Sequence, residues 1–140
     1  MASIFSRIIA GEFPGNFVWK DPEVVGLLTI QPFKPGHVLV IPRAEIDHWD
    51  DIPEPLAARM MNVAQRIARA QKAVFRPLRV GVLVAGTEVP HAHLHIVPID
   101  DVGELSFAHA HNVPGAELAQ AAAKIRAELR RMGFPAEAAD

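Results

Sequence analysis

Residues 89 to 98 read Val-Pro-His-Ala-His-Leu-His-Ile-Val-Pro and place three imidazoles, His91, His93 and His95, two positions apart. No other side chain changes charge near neutral pH without special tuning, so this segment concentrates nucleophilic, acid-base and metal-ligating capacity. In an extended chain alternate side chains point to opposite faces, which puts His91, His93 and His95 on one face and Ala92, Leu94 and Ile96 on the other. At ~3.3 Å per residue the imidazoles span about 13 Å. The apolar set is expected to pack on a helix. The imidazole set is expected outside dry core, because three unpaired polar rings would each forfeit hydrogen bonds worth about 1 to 3 kcal/mol.

Three chemistries fit such a row. The first is none at all, an incidental solvated face. The second is a metal site on His91, His93 and His95, in which adjacent same-face rings chelate one ion while the outer pair lies too far apart to join easily. The third is nucleophilic catalysis, in which one imidazole attacks while its neighbours fix its tautomer and bind the anionic group being transferred.

The elements that must hold this row follow from apolar spacing. Ser3 to Ala10, with Ser3 as cap and Gly11 as stop, reads as a short helix. Asn16 to Trp19, Val24 to Ile30 and His37 to Ile41 read as strands, separated by turn signals at Asp21-Pro22, Gln31-Pro32 and Pro35-Gly36, and connections this short imply antiparallel pairing. From Glu54 the apolar period becomes helical through Leu56, Met60, Val63, Ile67 and Val74 until Pro77. Arg79 to Ala85 and His91 to Val97 return to strand composition around Gly86-Thr87. A closing helix runs through Leu118, Ala122, Ile125, Leu129 and Met132 to Gly133, and Asp100 to Pro114 reads as loop. The sum is an α+β chain with a mainly antiparallel sheet. Residues 1–135 are expected as a single domain and 136–140 as a frayed tail.

Composition narrows the partners. Fourteen Lys+Arg against sixteen Asp+Glu in 140 residues leave a net charge of -2, so no overall positive field exists to drive binding to nucleic acid or to an anionic membrane. With no cysteine, disulfides, thiolate ligands and a Cys nucleophile are excluded, and a reducing, cytoplasmic setting is expected. No basic leader with an apolar run opens the sequence, and no apolar stretch approaches the ~18 residues needed to span a bilayer.

Two further segments accompany the histidine row. Ile4-Phe5-Ser6-Arg7-Ile8-Ile9-Ala10-Gly11-Glu12-Phe13-Pro14 comes first, and Lys34-Pro35-Gly36-His37-Val38-Leu39-Val40-Ile41-Pro42-Arg43 second. With His-x-His-x-His and two apolar residues at His91 to Val97, these three ordered motifs resemble the histidine triad (HIT) superfamily, in its nucleotide-binding and hydrolase branch. The resemblance implies a HIT-like antiparallel sheet of about five strands, one long central helix, a short N-terminal helix and a C-terminal helix. It also implies a homodimer. The implied activity is cleavage at the α-phosphate of a nucleotide conjugate, purine nucleotides being the expected class, with a nucleotidyl-histidine intermediate that water then hydrolyses. His93 would be the nucleophile, His95 would contact the phosphate or leaving-group side, and His91 and His37 would complete the network that positions His93. A protonated neighbouring imidazole could offset charge on the phosphoryl oxygens. No metal or other cofactor is called for.

By the same resemblance the base would lie among Ile4, Phe5, Ile8, Leu27, Leu28 and Ile30, and Gly86, Thr87, Glu88 and Val89 would run past the phosphate. Three departures stand out. Thr29 replaces an Asp that accepts both ribose hydroxyls in many relatives. The turn before the row reads Ala85-Gly86-Thr87-Glu88-Val89, without the Gly-Gln-Ser or Gly-Gln-Thr of many relatives, and Glu88 could act as an acid there. Ser3 and Ser6 stand where some members carry zinc-binding cysteines. Two alternatives remain beside this reading: a nucleotide sensor without turnover, and a metal-dependent hydrolase with the histidine row as ligands. His109 and His111 read as polar loop, His48 with Asp47 and Asp50 as a surface turn, and Trp19 and Trp49 as packing or interface aromatics.

Overall fold

A computed structural model describes all 140 residues. Five strands, β1 (Phe17–Lys20), β2 (Val24–Leu28), β3 (Val38–Pro42), β4 (Arg79–Leu83) and β5 (Leu94–Ile99), form one antiparallel sheet in the order β1-β2-β3-β5-β4. Three α-helices accompany it: α1 (Ile4–Ile9), α2 (Glu54–Phe75) and α3 (Gly115–Arg131). The α+β class and the antiparallel sheet match the expectation.

Helix α2 ends where Arg76 turns left-handed (φ 50°) before Pro77, which cannot continue a helix. Its buried stripe of Met60, Val63, Ala64, Ile67 and Ala70 covers one face of the sheet beside Leu118, Ala122, Ile125 and Leu129 of α3, in a 19-residue core that includes Ala92 and Ile96. Alternation sends the neighbouring residues to the opposite face. There Val25, Leu27, Leu39 and Ile41 meet Phe5 of α1.

Two devices set the β2–β3 connection. Gly36 has φ +85° and lies against the Phe75 ring where a Cβ would have to go, so the turn before His37 requires glycine. Gln71 of α2 donates from Nε2 to the Gly36 carbonyl (2.8 Å) and to the Ile96 carbonyl (2.9 Å), tying that turn to β5.

Several boundaries differ from expectation. Regular pairing of the histidine segment starts only at Leu94, because the His91 amide closes a tight turn onto the Val89 carbonyl and the Ala92 amide bonds to Ile46. The strand then continues through Pro98, which lies beyond the β3 pairing that ends at Ile96 and so removes no ladder donor on that side. Residues 100–114 hold two 3₁₀ turns, Val102–Glu104 and Phe107–His109, capped by the side chains of Asp101 and Ser106. The expected frayed tail is docked instead: Ala138 is fully buried, the Glu137 carbonyl accepts the Lys20 amide, and Asp140 pairs with Arg126 and Arg130. No helix is long and apolar enough to cross a membrane.

Candidate active site

The histidine row does alternate against the core, with Ala92, Leu94 and Ile96 packed on the α2–α3 side and the imidazoles on the other. Its burial differs from expectation. His91, His93, His95 and also His37 are each 6% exposed or less. They tolerate this because nearly every ring nitrogen that points into protein has a partner, which offsets the loss of water.

Those partners fix the tautomers. The Nδ1 of His93 lies 2.8 Å from the His91 carbonyl, which can only accept, so Nδ1 carries the proton and Nε2 of the neutral ring keeps its lone pair. The Phe33 amide donates to Nδ1 of His37 (3.1 Å), so the His37 proton is on Nε2. From there it is donated to Nδ1 of His95, 3.0 Å away. His95 in turn carries its proton on Nε2. That atom is buried and has no partner in the chain.

His91 is held differently. Its Nε2 donates to the Pro42 carbonyl (2.7 Å) and its Nδ1 accepts the Ser3 hydroxyl (2.7 Å), while Ser3 Oγ accepts the Ser6 amide as helix cap. Glu45 accepts from the Ser3 amide and the Ser6 hydroxyl. His91 thus faces α1 rather than the cavity, and acts on His93 through its backbone carbonyl. Phe5 meets both rings in edge-to-face geometry, with centroids 5.8 Å from His91 and 4.9 Å from His93.

Burial lowers the proton affinity of the group. It pushes His37 down to about 3 and His95 down to about 4, with the neighbouring imidazoles adding to the effect. His93 is also held below the ordinary histidine value by burial, against the opposing influence of the His91 carbonyl and the Glu88 charge. All three rings are therefore neutral at pH 7, which corrects the expectation of a protonated neighbour: His95 offers a neutral N–H.

His93, His95 and His37 line a cavity of about 510 Å³. Ile4, Phe5, Ile8, Leu27, Leu28, Thr29, Ile30, Glu88 and Val89 line it as expected from sequence. Gly86 and Thr87 do not. They border a separate cavity of about 180 Å³, with Trp49, His48 and Asp47, on the other side of His93. Two aromatic residues missing from the sequence reading belong to the site: Phe33 stacks on His95 (5.7 Å, 12°) and Phe107 meets it edge-on (5.2 Å, 87°). Phe33 is near enough to Pro35-Gly36-His37 to have been suspected. Phe107 lies in the segment without periodicity and gave no signal.

A carboxylate oxygen of Glu88 and ring nitrogens of His93 and His95 all lie within 4.8 Å of one another. This is the one cluster that could hold a metal ion, and the tautomers weigh on it. His95 Nε2 bears a proton while Nδ1 accepts from His37, so only His93 and Glu88 present lone pairs without rearrangement.

The HIT domain family model matches residues 10–102. The chain belongs to the HIT family. Protein hit of Bacillus subtilis is 32% identical over 135 residues, covering 90% of this chain and 93% of that protein. Adenosine 5'-monophosphoramidase HNT1 of Saccharomyces cerevisiae is 34% identical over 101 residues, covering 71% of this chain and 64% of that enzyme. A zinc-bound histidine triad family protein from Mycobacterium smegmatis superposes with a TM-score of 0.82 at 30% identity, over 94% of this chain and 96% of that one. The HIT fold is thereby established, and the family includes enzymes acting on nucleotide conjugates.

Proposed function

We propose that this HIT protein is a nucleotidyl hydrolase or transferase that cleaves at the α-phosphate of a purine nucleotide conjugate, a phosphoramidate or acyl phosphate, through a covalent nucleotidyl-His93 intermediate. The observation that carries the reading is a pair of complementary ring atoms on one cavity wall. His93 has its proton tied to the His91 carbonyl and its other nitrogen free to attack, and His95 has a buried N–H with nothing to donate to. An unsatisfied buried donor costs about 1 to 3 kcal/mol, and a phosphoryl oxygen would remove that cost. A metal bound there would need the His95 proton removed, so the geometry favours nucleophile over ligand. The name of the yeast relative supports the phosphoramidate class.

The sequence of events follows. The nucleoside enters between the apolar residues of α1 and β2, and its α-phosphate meets Nε2–H of His95. His93 Nε2 attacks phosphorus, the leaving group departs in line, and water then attacks the same phosphorus and returns the pair to His93. His37 keeps His95 in the donating tautomer, and His91 holds that of His93. We also read the protein as a cytoplasmic homodimer. Its cysteine-free composition supports the compartment, and the unpaired outer edge of β4, where Val82 is 44% exposed, supports self-association.

Turnover tests the reading. Wild type should release nucleoside monophosphate from a nucleoside phosphoramidate, while His93→Asn should bind the nucleotide and release almost none. Binding by wild type with no turnover of any conjugate would favour the sensor.

A further inference from the structure

Gln71 belongs to the buried stripe of α2 and is completely shielded from solvent. Its Nε2 lies 2.8 Å from the Gly36 carbonyl oxygen and 2.9 Å from that of Ile96. Carbonyls only accept, so both amide protons of Gln71 are committed to them. Its Oε1 is buried and has no partner. An unpaired buried acceptor costs stability, and methionine would fill the position without one. What distinguishes glutamine here is the pair of carbonyls that its amide ties together.

Both carbonyls belong to neighbours of site histidines: Gly36 precedes His37, and Ile96 follows His95. Regular pairing of β3 with β5 runs from Val40 and Leu94 to Val38 and Ile96 and stops there, one residue short of His37. The backbone of His37 makes only long bonds of its own, from its amide to the Lys34 carbonyl at 3.2 Å and from the Thr29 amide to its carbonyl at 3.4 Å. The Gln71 amide thus carries the connection between β3 and β5 past the last ladder pair, from the α2 side of the sheet. On the other side, at this same end of the ladder, His37 Nε2 and His95 Nδ1 are 3.0 Å apart. A separation greater by ~0.6 Å would end that hydrogen bond.

We propose that Gln71 is a positioning residue for nucleotidyl transfer: its amide holds the His37 turn against β5 and so keeps His95 in the tautomer whose Nε2–H faces the cavity. This rests on the role given above to that N–H. Gln71 touches no substrate and acts only through the bond from His37 to His95.

The test replaces Gln71 with Met, which keeps the length and helix propensity and removes both donors. Long-range proton–nitrogen NMR of protein labelled with ¹⁵N-histidine, recorded at pH 7, distinguishes N–H from lone-pair ring nitrogens. Wild type should show His95 protonated on Nε2 alone, and Gln71→Met should show both tautomers of His95. On a nucleoside phosphoramidate, kcat of Gln71→Met should fall about ten- to a hundredfold, the scale set by displacing a positioned group, while KM stays within about threefold. Gln71→Asn keeps the amide but is one methylene shorter, and it should behave as Gln71→Met does. Ile67→Val trims the same buried stripe by one methyl and should lower Tm while leaving the His95 tautomer and kcat as in wild type. A single Nε2-protonated His95 in either Gln71 variant overturns the proposal, as do both tautomers in wild type or a kcat loss no larger than that of Ile67→Val. Failure of wild type to cleave any phosphoramidate overturns the nucleotidyl-transfer reading instead, and the NMR comparison still decides whether Gln71 holds His95.

Discussion

His37 donates from Nε2 to Nδ1 of His95 across 3.0 Å, at the end of a relay that starts at the Phe33 amide. Its consequence is one atom further on, where Nε2–H of His95 is left as the donor that faces the cavity. Removing His37 frees His95 to adopt the other tautomer, in which it offers the phosphate a lone pair. His37→Ala should therefore lower kcat by about ten- to a hundredfold, less than the collapse expected of His93→Asn, because it disturbs a donor and not the reacting nitrogen. Steady-state kinetics of both variants on one phosphoramidate check the order, and His37→Ala matching wild type would break the relay argument.

Acid should weaken the fold in a defined window. His37 and His95 titrate in the folded protein at about 3 and about 4, whereas in the unfolded chain they titrate near the ordinary 6.5. Between those values the unfolded state binds more protons, so the stability contributed by the neutral rings is complete above about 6.5 and is lost as pH falls through about 4 for His95 and about 3 for His37. Tm should fall over that range, and His37→Asn should flatten the fall. A Tm indifferent to pH between 6.5 and 4.5 would contradict the burial of these rings.

Catalysis should not depend on metal. In the proposed mechanism the charge on the phosphoryl oxygens is met by the N–H of His95, so prolonged EDTA treatment should leave the rate unchanged. Loss of activity with recovery on adding zinc or manganese would reassign Glu88, His93 and His95 as a metal site.

Sugar recognition should be weak. Thr29 lines the cavity, and its hydroxyl accepts the Gln31 amide at 3.2 Å, where it can offer a sugar at most a neutral bond of about 0.5 to 1.5 kcal/mol. Wild type should prefer ribose over 2'-deoxyribose by less than about tenfold in kcat/KM, or ~1.4 kcal/mol. Thr29→Asp should raise that preference through charge-assisted bonds. A strong ribose preference in wild type that survives Thr29→Ala would place sugar recognition elsewhere.

What could be read in the residues was periodic or motif-borne. The α2 stripe, the antiparallel strands, the cap at Ser3 and the separation of imidazoles from Ala92 and Ile96 all follow from local spacing. The burial of the histidines does not, because it depends on partners supplied from a distance: the Pro42 carbonyl, the Ser3 hydroxyl and the Phe33 amide. The same holds for Phe107, which reaches His95 from a segment with no period, and for the tail, where Ala138 is buried through contacts with the distant core.

The proposed mechanism turns on a covalent bond from His93 to the α-phosphorus, and trapping measures that bond directly. Wild type mixed with a labelled nucleoside phosphoramidate, quenched rapidly under alkaline denaturing conditions and digested, should yield one peptide carrying a nucleoside monophosphate on His93. His93→Asn should yield none. Turnover by wild type with no labelled histidine, or with the label on His91 or His95, would contradict the account.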